Sequence, residues 1–405
     1  MIRNVRIPAL AGAMTLALAA LPAVAAEQTV KIGILSDMSG PYSDMGGPGS
    51  VAAAQLAIDD CLAKECKGMK IELLSIDHQN KPDIGVQKAR EWADVNKVNA
   101  IADLTNSAVA LGVQKLTLDH DFVAMYSGPA TTKLTNEDCS ATGFHWMFDT
   151  YALAAGSAQA ITKMGGKSWY FLTVDYAFGH SLEADSMAMV NQLGGKVLGS
   201  VRHPLNSADM SSFLLSAQSS KAQVIALANG AADTINAIKT AREFGIVQGG
   251  QQVVPLLIFL TDIRSLGLDV AQGLTFTEGF YWDQDDQARA FAARFQKAFK
   301  DRKPTMVQAG TYSSVLHYLR AVAAAKTTEA KAVSAKMREM PISDAVMRHA
   351  AIRPDGRVIH DMLLVKVKSP AESKGDWDFY TIQATIPAAE AFKPLATSAC
   401  PAVKK

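Results

Sequence analysis

The chain has 405 residues, of which 49% are hydrophobic and 20% are charged, a balance typical of a globular protein and unlike that of a disordered one. Its 40 Lys and Arg and 39 Asp and Glu give a formal net charge of +1, which excludes a broadly basic nucleic-acid-binding protein. The length is typical of two or three domains, and no fixed period recurs, which excludes a repeat architecture.

The first 26 residues are predicted to be a cleaved secretory signal peptide. Arg3 and Arg6 form a basic start, residues 7–24 are apolar, and the small residues Ala23-Val24-Ala25 precede polar Glu27. A membrane anchor is the alternative, because the apolar stretch is long enough to span a bilayer, but its small-residue ending favours cleavage. Removal of the peptide leaves 38 basic and 39 acidic residues, and the signal pattern predicts an exported protein.

Short apolar strands then alternate with helices in two successive series. Because the strands are continuous apolar runs with helices between them, they predict two parallel sheets covered on both faces. The first series has strands at 30–35, 70–76, 100–104 and 122–126 and helices at 49–62, 82–96 and 107–118. The second has strands at 168–174, 197–201, 223–228 and 253–259 and helices at 150–164, 179–193, 208–219 and 231–244.

The final third is mainly helical, and its pattern predicts that it completes the two sheet-based units. Phe291, Phe295 and Phe299 recur at i, i+4 and i+8, an apolar stripe that indicates a core-facing helix. Helices are predicted at 287–299, 307–325 and 328–339, and strands at 362–367 and 379–382.

Four cysteines, all beyond the signal peptide, suit an exported protein with two disulfides. Three pairings are possible, and we favour Cys61–Cys66 with Cys139–Cys400. The first pair requires the preceding helix to end near residues 63–65 and turn back, because positions i and i+5 on an intact helix are too far apart for a disulfide. A zinc site is disfavoured, since the chain has no C-x-x-C with nearby histidines.

Enzyme motifs are weak or absent. Gly47-Pro48-Gly49-Ser50-Val51-Ala52 resembles a dinucleotide-binding fingerprint, but about ten residues separate it from the strand that should precede it directly. There is no G-x-S-x-G, H-E-x-x-H or P-loop, and the eight histidines lack ligand spacing. The acids Asp283, Asp285 and Asp286 are assigned to the start of a helix, where they complement its dipole. No catalytic residue, cofactor or metal is therefore predicted.

The loops at the carboxyl ends of the strands are the predicted binding site, because open α/β sheets bind ligands there. Their residues offer helix N-terminal amides and hydroxyl or amide groups, which suit an anion, and aromatic rings, which suit a planar or apolar body. Helix capping and loop anchoring are the alternative roles for these side chains. The candidates are Tyr42, Asn106, Ser107, Ser127, Gly128, Pro129, Ala130, Tyr176, Phe178, Asn229, Asp262 and Arg264.

Several of these segments, in this order, resemble the leucine/isoleucine/valine-binding-protein family of periplasmic receptors of ABC importers. They are residues 30–35 with Ser39-Gly40-Pro41-Tyr42, Ser127-Gly128-Pro129-Ala130-Thr131-Thr132, Val174-Asp175-Tyr176-Ala177-Phe178-Gly179 and Gly279-Phe280-Tyr281-Trp282-Asp283. The resemblance covers nearly the whole mature chain. It implies a two-lobed α/β type I periplasmic binding protein in which each lobe is a mostly parallel sheet flanked by helices.

The same resemblance implies three hinge crossovers, near Phe148–Asp149, Phe276–Phe280 and Met347–Ile352. Residues 27–148 with 280–347 would form the N-terminal lobe, and residues 149–279 with 348–405 the C-terminal lobe. Ligand capture would close the cleft between them, and the closed form would be recognised by the permease subunits of the importer. The protein would act as a monomer without nucleic acid.

The family's amino-acid site is matched only in part. Asn106 or Ser107 and Ala130 occupy the positions of the carboxylate-binding Ser and Thr, and Asp262 could meet an α-ammonium, although Arg264 lies two residues away. Four segments together resemble the branch of the family that binds aromatic carboxylates: Thr261-Asp262, Tyr281-Trp282-Asp283, Thr135-Asn136-Glu137-Asp138-Cys139 and Phe144-His145-Trp146. An aromatic or other organic acid is therefore favoured over a branched-chain amino acid. The competing functions are a periplasmic ligand-sensing domain that serves a receptor and a secreted enzyme.

Overall fold

We describe a computed structural model of the chain, which covers residues 29–403 together with Met1. The remainder of the predicted signal peptide lies outside these residues. Within them, no helix is long and apolar enough to cross a membrane.

The first series of elements forms a five-stranded parallel sheet in the order β2-β1-β3-β4-β5. The central strands are buried, as expected for a parallel sheet with helices on both faces. A short fifth strand was not predicted. The elements are β1 (Thr29–Ser36), α1 (Gly47–Leu62), β2 (Lys70–Asp77), α2 (Pro82–Glu91), β3 (Ala100–Asp103), α3 (Ser107–Leu116), β4 (Val123–Tyr126) and β5 (Gly143–His145), and a π-helical turn, Trp92–Asn96, continues α2.

The second series forms a four-stranded parallel sheet in the order β7-β6-β8-β9. The first helix of this series contains a π-helical turn, Ala154–Ala158, between α4 and α5. The elements are α4 (Thr150–Leu153), α5 (Gln159–Lys163), β6 (Ser168–Val174), α6 (Ala177–Gln192), β7 (Lys196–His203), α7 (Ser211–Ser219), β8 (Val224–Ala228), α8 (Ala232–Glu243) and β9 (Gln252–Pro255).

The predicted strand over residues 253–259 is too long. The strand ends at Pro255, and a helix begins at Leu260. Leu256 N still donates to Leu227 O at 3.1 Å, so the Pro255 nitrogen faces the open edge of the sheet. Asp262 Oδ2 accepts a hydrogen bond from Phe259 N at 2.9 Å, which caps the new helix and ends the extended run. The apolar run 256–259 is therefore a buried connection between the two elements.

The final third packs on both sheets. Phe291, Phe295 and Phe299 are buried, as predicted, and the long helix in this part lies against α1. Three further strands form an antiparallel sheet in the order β10-β13-β14. The elements are α9 (Leu260–Leu266), α10 (Leu268–Ala271), β10 (Thr275–Glu278), α11 (Asp286–Ala298), α12 (Met306–Ala325), α13 (Ala330–Glu339), β11 (Ala351–Ile352), β12 (Val358–Ile359), β13 (Met362–Val367), β14 (Tyr380–Ile386) and α14 (Ala388–Ala391).

Both predicted disulfides are present, with Cα–Cα distances of 5.0 Å for Cys61–Cys66 and 5.6 Å for Cys139–Cys400. The helix α1 ends at Leu62, so the chain can turn back to the first pair as expected. The second pair fastens the tail to the first series, where Ala399 N donates to Asn136 Oδ1 at 3.3 Å.

Candidate functional site

A small cavity lies where the carboxyl ends of strands from the two parallel sheets face each other. Its volume is about 10 Å³, which holds at most one water molecule. The two sets of loops are therefore in direct contact. The lining residues combine aromatic, aliphatic, hydroxyl and glycine positions, and none of them carries a charge: Tyr42, Met45, Thr105, Ser107, Gly128, Ala130, Tyr176, Phe178, Gly230, Leu257 and Phe259.

Tyr42 and Tyr176 join the two sides of this cavity. Tyr42 follows β1 of the first sheet, Tyr176 follows β6 of the second, and their hydroxyl oxygens are 2.8 Å apart. Burial is the main cause that raises the pKa of both phenols above the usual value, so both are neutral. One hydroxyl donates to the other, which leaves one phenolic proton free to donate to a bound group.

The loop that carries Tyr42 is shaped by Asp37 at its start. The Asp37 carboxylate is buried and accepts hydrogen bonds from Gly40 N at 2.7 Å and Tyr42 N at 2.8 Å. It also contacts Asn80 Nδ2. Charge-assisted bonds to main-chain amides are strong, so this residue fixes the position of the Tyr42 side chain.

The start of α3 provides the polar wall of the cavity. Asn106 caps the helix, because its Oδ1 accepts from Ala108 N at 2.9 Å and Val109 N at 3.2 Å. Ser107 Oγ accepts from the main-chain N–H groups of Ala130 and Thr131 at 3.2 Å and 3.3 Å. Its own hydroxyl proton is not used by these bonds. A hydroxyl donor at a helix N-terminus favours an anion.

Six of the predicted site residues are thus brought together at the cavity: Tyr42, Ser107, Gly128, Ala130, Tyr176 and Phe178. Asn106, Ser127 and Pro129 lie in the same loops but outside the lining. The Ser127 hydroxyl is buried without a hydrogen-bond partner among the described residues, and the Pro129 carbonyl accepts from His145 Nε2 at 2.7 Å.

The other four predicted site residues have partners elsewhere. Asn229 bonds His203 Nε2 at 3.0 Å and accepts from Thr234 Oγ1 at 2.7 Å, and Asp262 caps α9. Arg264 is exposed and donates to Asp376 at 2.6 Å. Trp282 Nε1 donates to the Trp377 carbonyl at 2.8 Å.

Five lining residues were not among the predicted site residues: Met45, Thr105, Gly230, Leu257 and Phe259. Thr105 and Gly230 adjoin predicted residues within loops that the sequence did identify. Leu257 and Phe259 were assigned to a strand, and Pro255 was a signal that this strand lies at a sheet edge or stops early.

A larger cavity of about 410 Å³ lies at the outer edge of the second sheet, beside residues such as Val247, Val253 and Leu274. None of the predicted site residues borders it. Among the described residues, no group of three or more His, Cys, Asp or Glu is placed to hold a metal ion.

The Tyr42–Tyr176 contact predicts a measurable coupling. Tyr42→Phe or Tyr176→Phe alone should lower the free energy of unfolding by about 1–2 kcal/mol, because each leaves a shielded hydroxyl unpaired. The double variant should lose less than the sum, by about 1 kcal/mol. Urea unfolding of all four proteins measures this cycle. Additive losses would show that the two hydroxyls do not meet in solution.

Comparisons with known proteins agree on one family. A family model described as "Periplasmic binding protein" matches residues 29–376. The crystal structure of a periplasmic binding protein from Burkholderia mallei is 45% identical, with a TM-score of 0.90, covering 93% of this chain and 99% of that chain. No curated protein matches the chain.

Two further solved structures carry ligand information in their descriptions. A branched-chain amino acid ABC transporter periplasmic ligand-binding protein from Burkholderia xenovorans LB400 is 40% identical, with a TM-score of 0.82, covering 93% of this chain and 100% of that chain. A solute-binding protein of an ABC transporter from R. palustris, in complex with 4-hydroxybenzoate, has a TM-score of 0.80 at 20% identity, covering 89% and 97% of the two chains. At that identity the second structure shows the fold alone.

Proposed function

The chain belongs to the periplasmic binding protein family, and from this we propose that it captures a small organic carboxylate between its two parallel sheets for an ABC importer. The Tyr42–Tyr176 contact across the cavity carries the proposal, because it joins the strand ends of both sheets at the predicted ligand position. The protein would work in the periplasm after signal-peptide cleavage, deliver its ligand to permease subunits and catalyse no reaction.

The lining of the cavity offers no counter-ion for the α-ammonium group of an amino acid. None of its lining residues is a carboxylate, and Asp262, the predicted ammonium partner, is engaged with Phe259 N. Burial raises the pKa of Asp262 to about 7, which weakens it further as a counter-ion. An ammonium buried without a partner would be costly.

The aromatic lining favours a planar body in the ligand. Tyr42, Tyr176, Phe178 and Phe259 surround the cavity, and rings of this kind pack edge-to-face or offset on other aromatic rings. The Ser107 hydroxyl at the start of α3 and the free phenolic proton would bind the carboxylate. Because the cavity is small, the two sheets must separate and close again around the ligand. We therefore propose benzoate-type acids as the ligand class.

Calorimetry with the mature protein tests this function. Benzoate or 4-hydroxybenzoate should bind and raise the melting temperature, whereas leucine and valine should not. Leucine or valine binding without benzoate binding would reject the aromatic ligand class. No binding by any of these four acids would count against capture of a small carboxylate.

Gly230 offers a matched pair of variants for the site. A Cβ at this position would lie 3.6 Å from Leu257 and 3.8 Å from Phe178, ordinary contacts with two lining side chains. Gly230→Ala should therefore fold and bind with a modest loss. Gly230→Val should fold but occupy ligand space and weaken binding at least tenfold, or about 1.4 kcal/mol. Equal affinity of both variants would place the ligand elsewhere.

A further inference from the structure

Asp103 is a fully buried acid that ends β3 directly beneath the cavity wall. Its Oδ2 accepts a hydrogen bond from Ser36 Oγ at 2.8 Å. Its Oδ1 is buried and has no hydrogen-bond partner among the described residues. A Cβ on Gly128 would lie 3.0 Å from this Oδ1. The free carboxyl oxygen therefore lies against the main chain of a residue that lines the cavity.

The backbone holds this carboxyl in an uncommon conformation. Asp103 and Leu104 both have left-handed φ angles, 76° and 58°, although neither is glycine. The Asp103 carbonyl accepts from the N–H groups of Ser127 and Gly128 at 3.3 Å each, and Leu104 N donates to Leu35 O at 2.9 Å. Strain of this kind persists only where surrounding structure enforces it, and it concentrates at functional sites.

Among the described residues, no cation lies beside Asp103 to balance its charge. The groups facing it from β1 and α1 are the hydroxyls of Ser36 and Ser50 and the carboxylate of Asp37, whose negative charge disfavours a second one. Thr105 follows β3 and contacts His78 Nε2 at 3.2 Å, and burial lowers the pKa of His78 to about 4, so this imidazole is neutral.

The other elements packed on β3 supply no free cation either. From β4 and the loop that follows it come the uncharged residues Tyr126, Ser127 and Gly128. On α12, burial lowers the pKa of His317 to about 4, and Arg320 pairs with Glu65 at 3.1 Å. With burial as the main cause, the pKa of Asp103 is raised to about 7.

We propose that binding of a carboxylate ligand is coupled to uptake of one proton at Asp103. The inference rests on the proposed function, because it requires an anionic ligand beside Thr105 and Gly128. That anion would add a negative charge across the Gly128 main chain from the unpaired Asp103 oxygen, and like charges in a buried site favour protonation of one of them. The proton comes from solvent, so an ionised Asp103 and a ligand anion become a neutral acid and a bound anion.

The experiment is calorimetric titration of benzoate into the mature protein in buffers of different protonation enthalpy. The dissociation constant should be constant below about pH 6, where Asp103 is already protonated. It should rise towards tenfold per pH unit above about pH 8, with about one proton taken up per ligand. A benzoate-type carboxylate stays ionised throughout this range. Strong binding without proton uptake at about pH 8 would overturn the proposal.

Two variants identify the residue that takes up the proton when the ligand binds. Asp103→Asn imitates the neutral acid and tolerates the left-handed backbone, so its affinity should match that of the wild-type protein at low pH and lose the pH dependence. Asp262→Asn, at another buried acid that bonds the cavity-lining Phe259, should retain the wild-type pH dependence. If Asp262→Asn, and not Asp103→Asn, removed the pH dependence of affinity, the proton would be taken up at Asp262 and the proposal would be wrong. Absence of benzoate binding at every pH would overturn the proposed function, and this inference with it.

Discussion

Removal of the Cys139–Cys400 disulfide is expected to lower the free energy of unfolding by about 5 kcal/mol. The two cysteines are 261 residues apart, and a cross-link that closes so long a loop removes much of the entropy of the unfolded chain. The bond also holds the tail against the first series, where Ser398 Oγ donates to the Thr135 carbonyl at 3.4 Å. A Cys139→Ala, Cys400→Ala double variant measured by urea unfolding tests this value.

The other disulfide provides a matched control. Cys61 and Cys66 are also buried, but they are only 5 residues apart, so the same entropy argument gives about 2 kcal/mol for the Cys61→Ala, Cys66→Ala variant. Both double variants lose two sulfur atoms, and only Cys139 among the four cysteines is half-buried rather than buried, so most of the difference between the variants reflects loop length. Equal losses in the two variants would contradict the entropic explanation.

Replacement of Arg357 by Met is expected to cost about 3–5 kcal/mol of stability, the range for breaking a buried ion pair from one side. The guanidinium is fully buried. It donates to the carbonyls of Phe148 at 3.1 Å, Trp146 at 3.0 Å and Val358 at 3.0 Å, and it lies 3.6 Å from the Asp149 carboxylate. Trp146, Phe148 and Asp149 belong to the connection between β5 and α4, where the first hinge crossover is proposed.

A second substitution, at Asp149, tests whether the stability loss of Arg357→Met comes from the broken ion pair. Burial raises the pKa of Asp149, and the charge of Arg357 opposes that rise, so Arg357→Met would leave a buried acid without its cation. Adding Asp149→Asn should recover part of the lost stability in urea unfolding. The exposed pair Arg264–Asp376 is the control: Arg264→Met should cost less than about 1 kcal/mol. A similar loss at both arginines would argue against a structural role for the buried pair.

The ligand affinity of Arg357→Met tests whether the connection at 146–149 acts as a hinge. If the connection at 146–149 acts as a hinge, the variant should change the dissociation constant for benzoate as well as stability, because closure would then start from a less ordered connection. An unchanged dissociation constant with reduced stability would assign Arg357 to folding alone.

Much of the candidate site could be predicted from sequence because parallel strands place all their carboxyl ends at one edge. This rule identified the loops with Tyr42, Ser107, Gly128, Ala130, Tyr176 and Phe178, all of which line the cavity. It could not rank residues within a loop. Asp262 and Asn229 have the expected chemistry, but their side chains are used by partners that only the folded chain brings near.

The sequence by itself determined the two α/β series, the export signal pattern and the Cys61–Cys66 pair, because apolar runs, glycines and the spacing of two near cysteines act over short distances along the chain. With four cysteines, that pair leaves Cys139 and Cys400 to each other. The tertiary structure decided which atoms meet across the cavity. Tyr42 and Tyr176 are 134 residues apart in sequence, and the isolated acid at Asp103 and the buried cation at Arg357 depend on how separate elements pack. Side-chain burial and pairing are properties of that packing, and no local pattern encodes them.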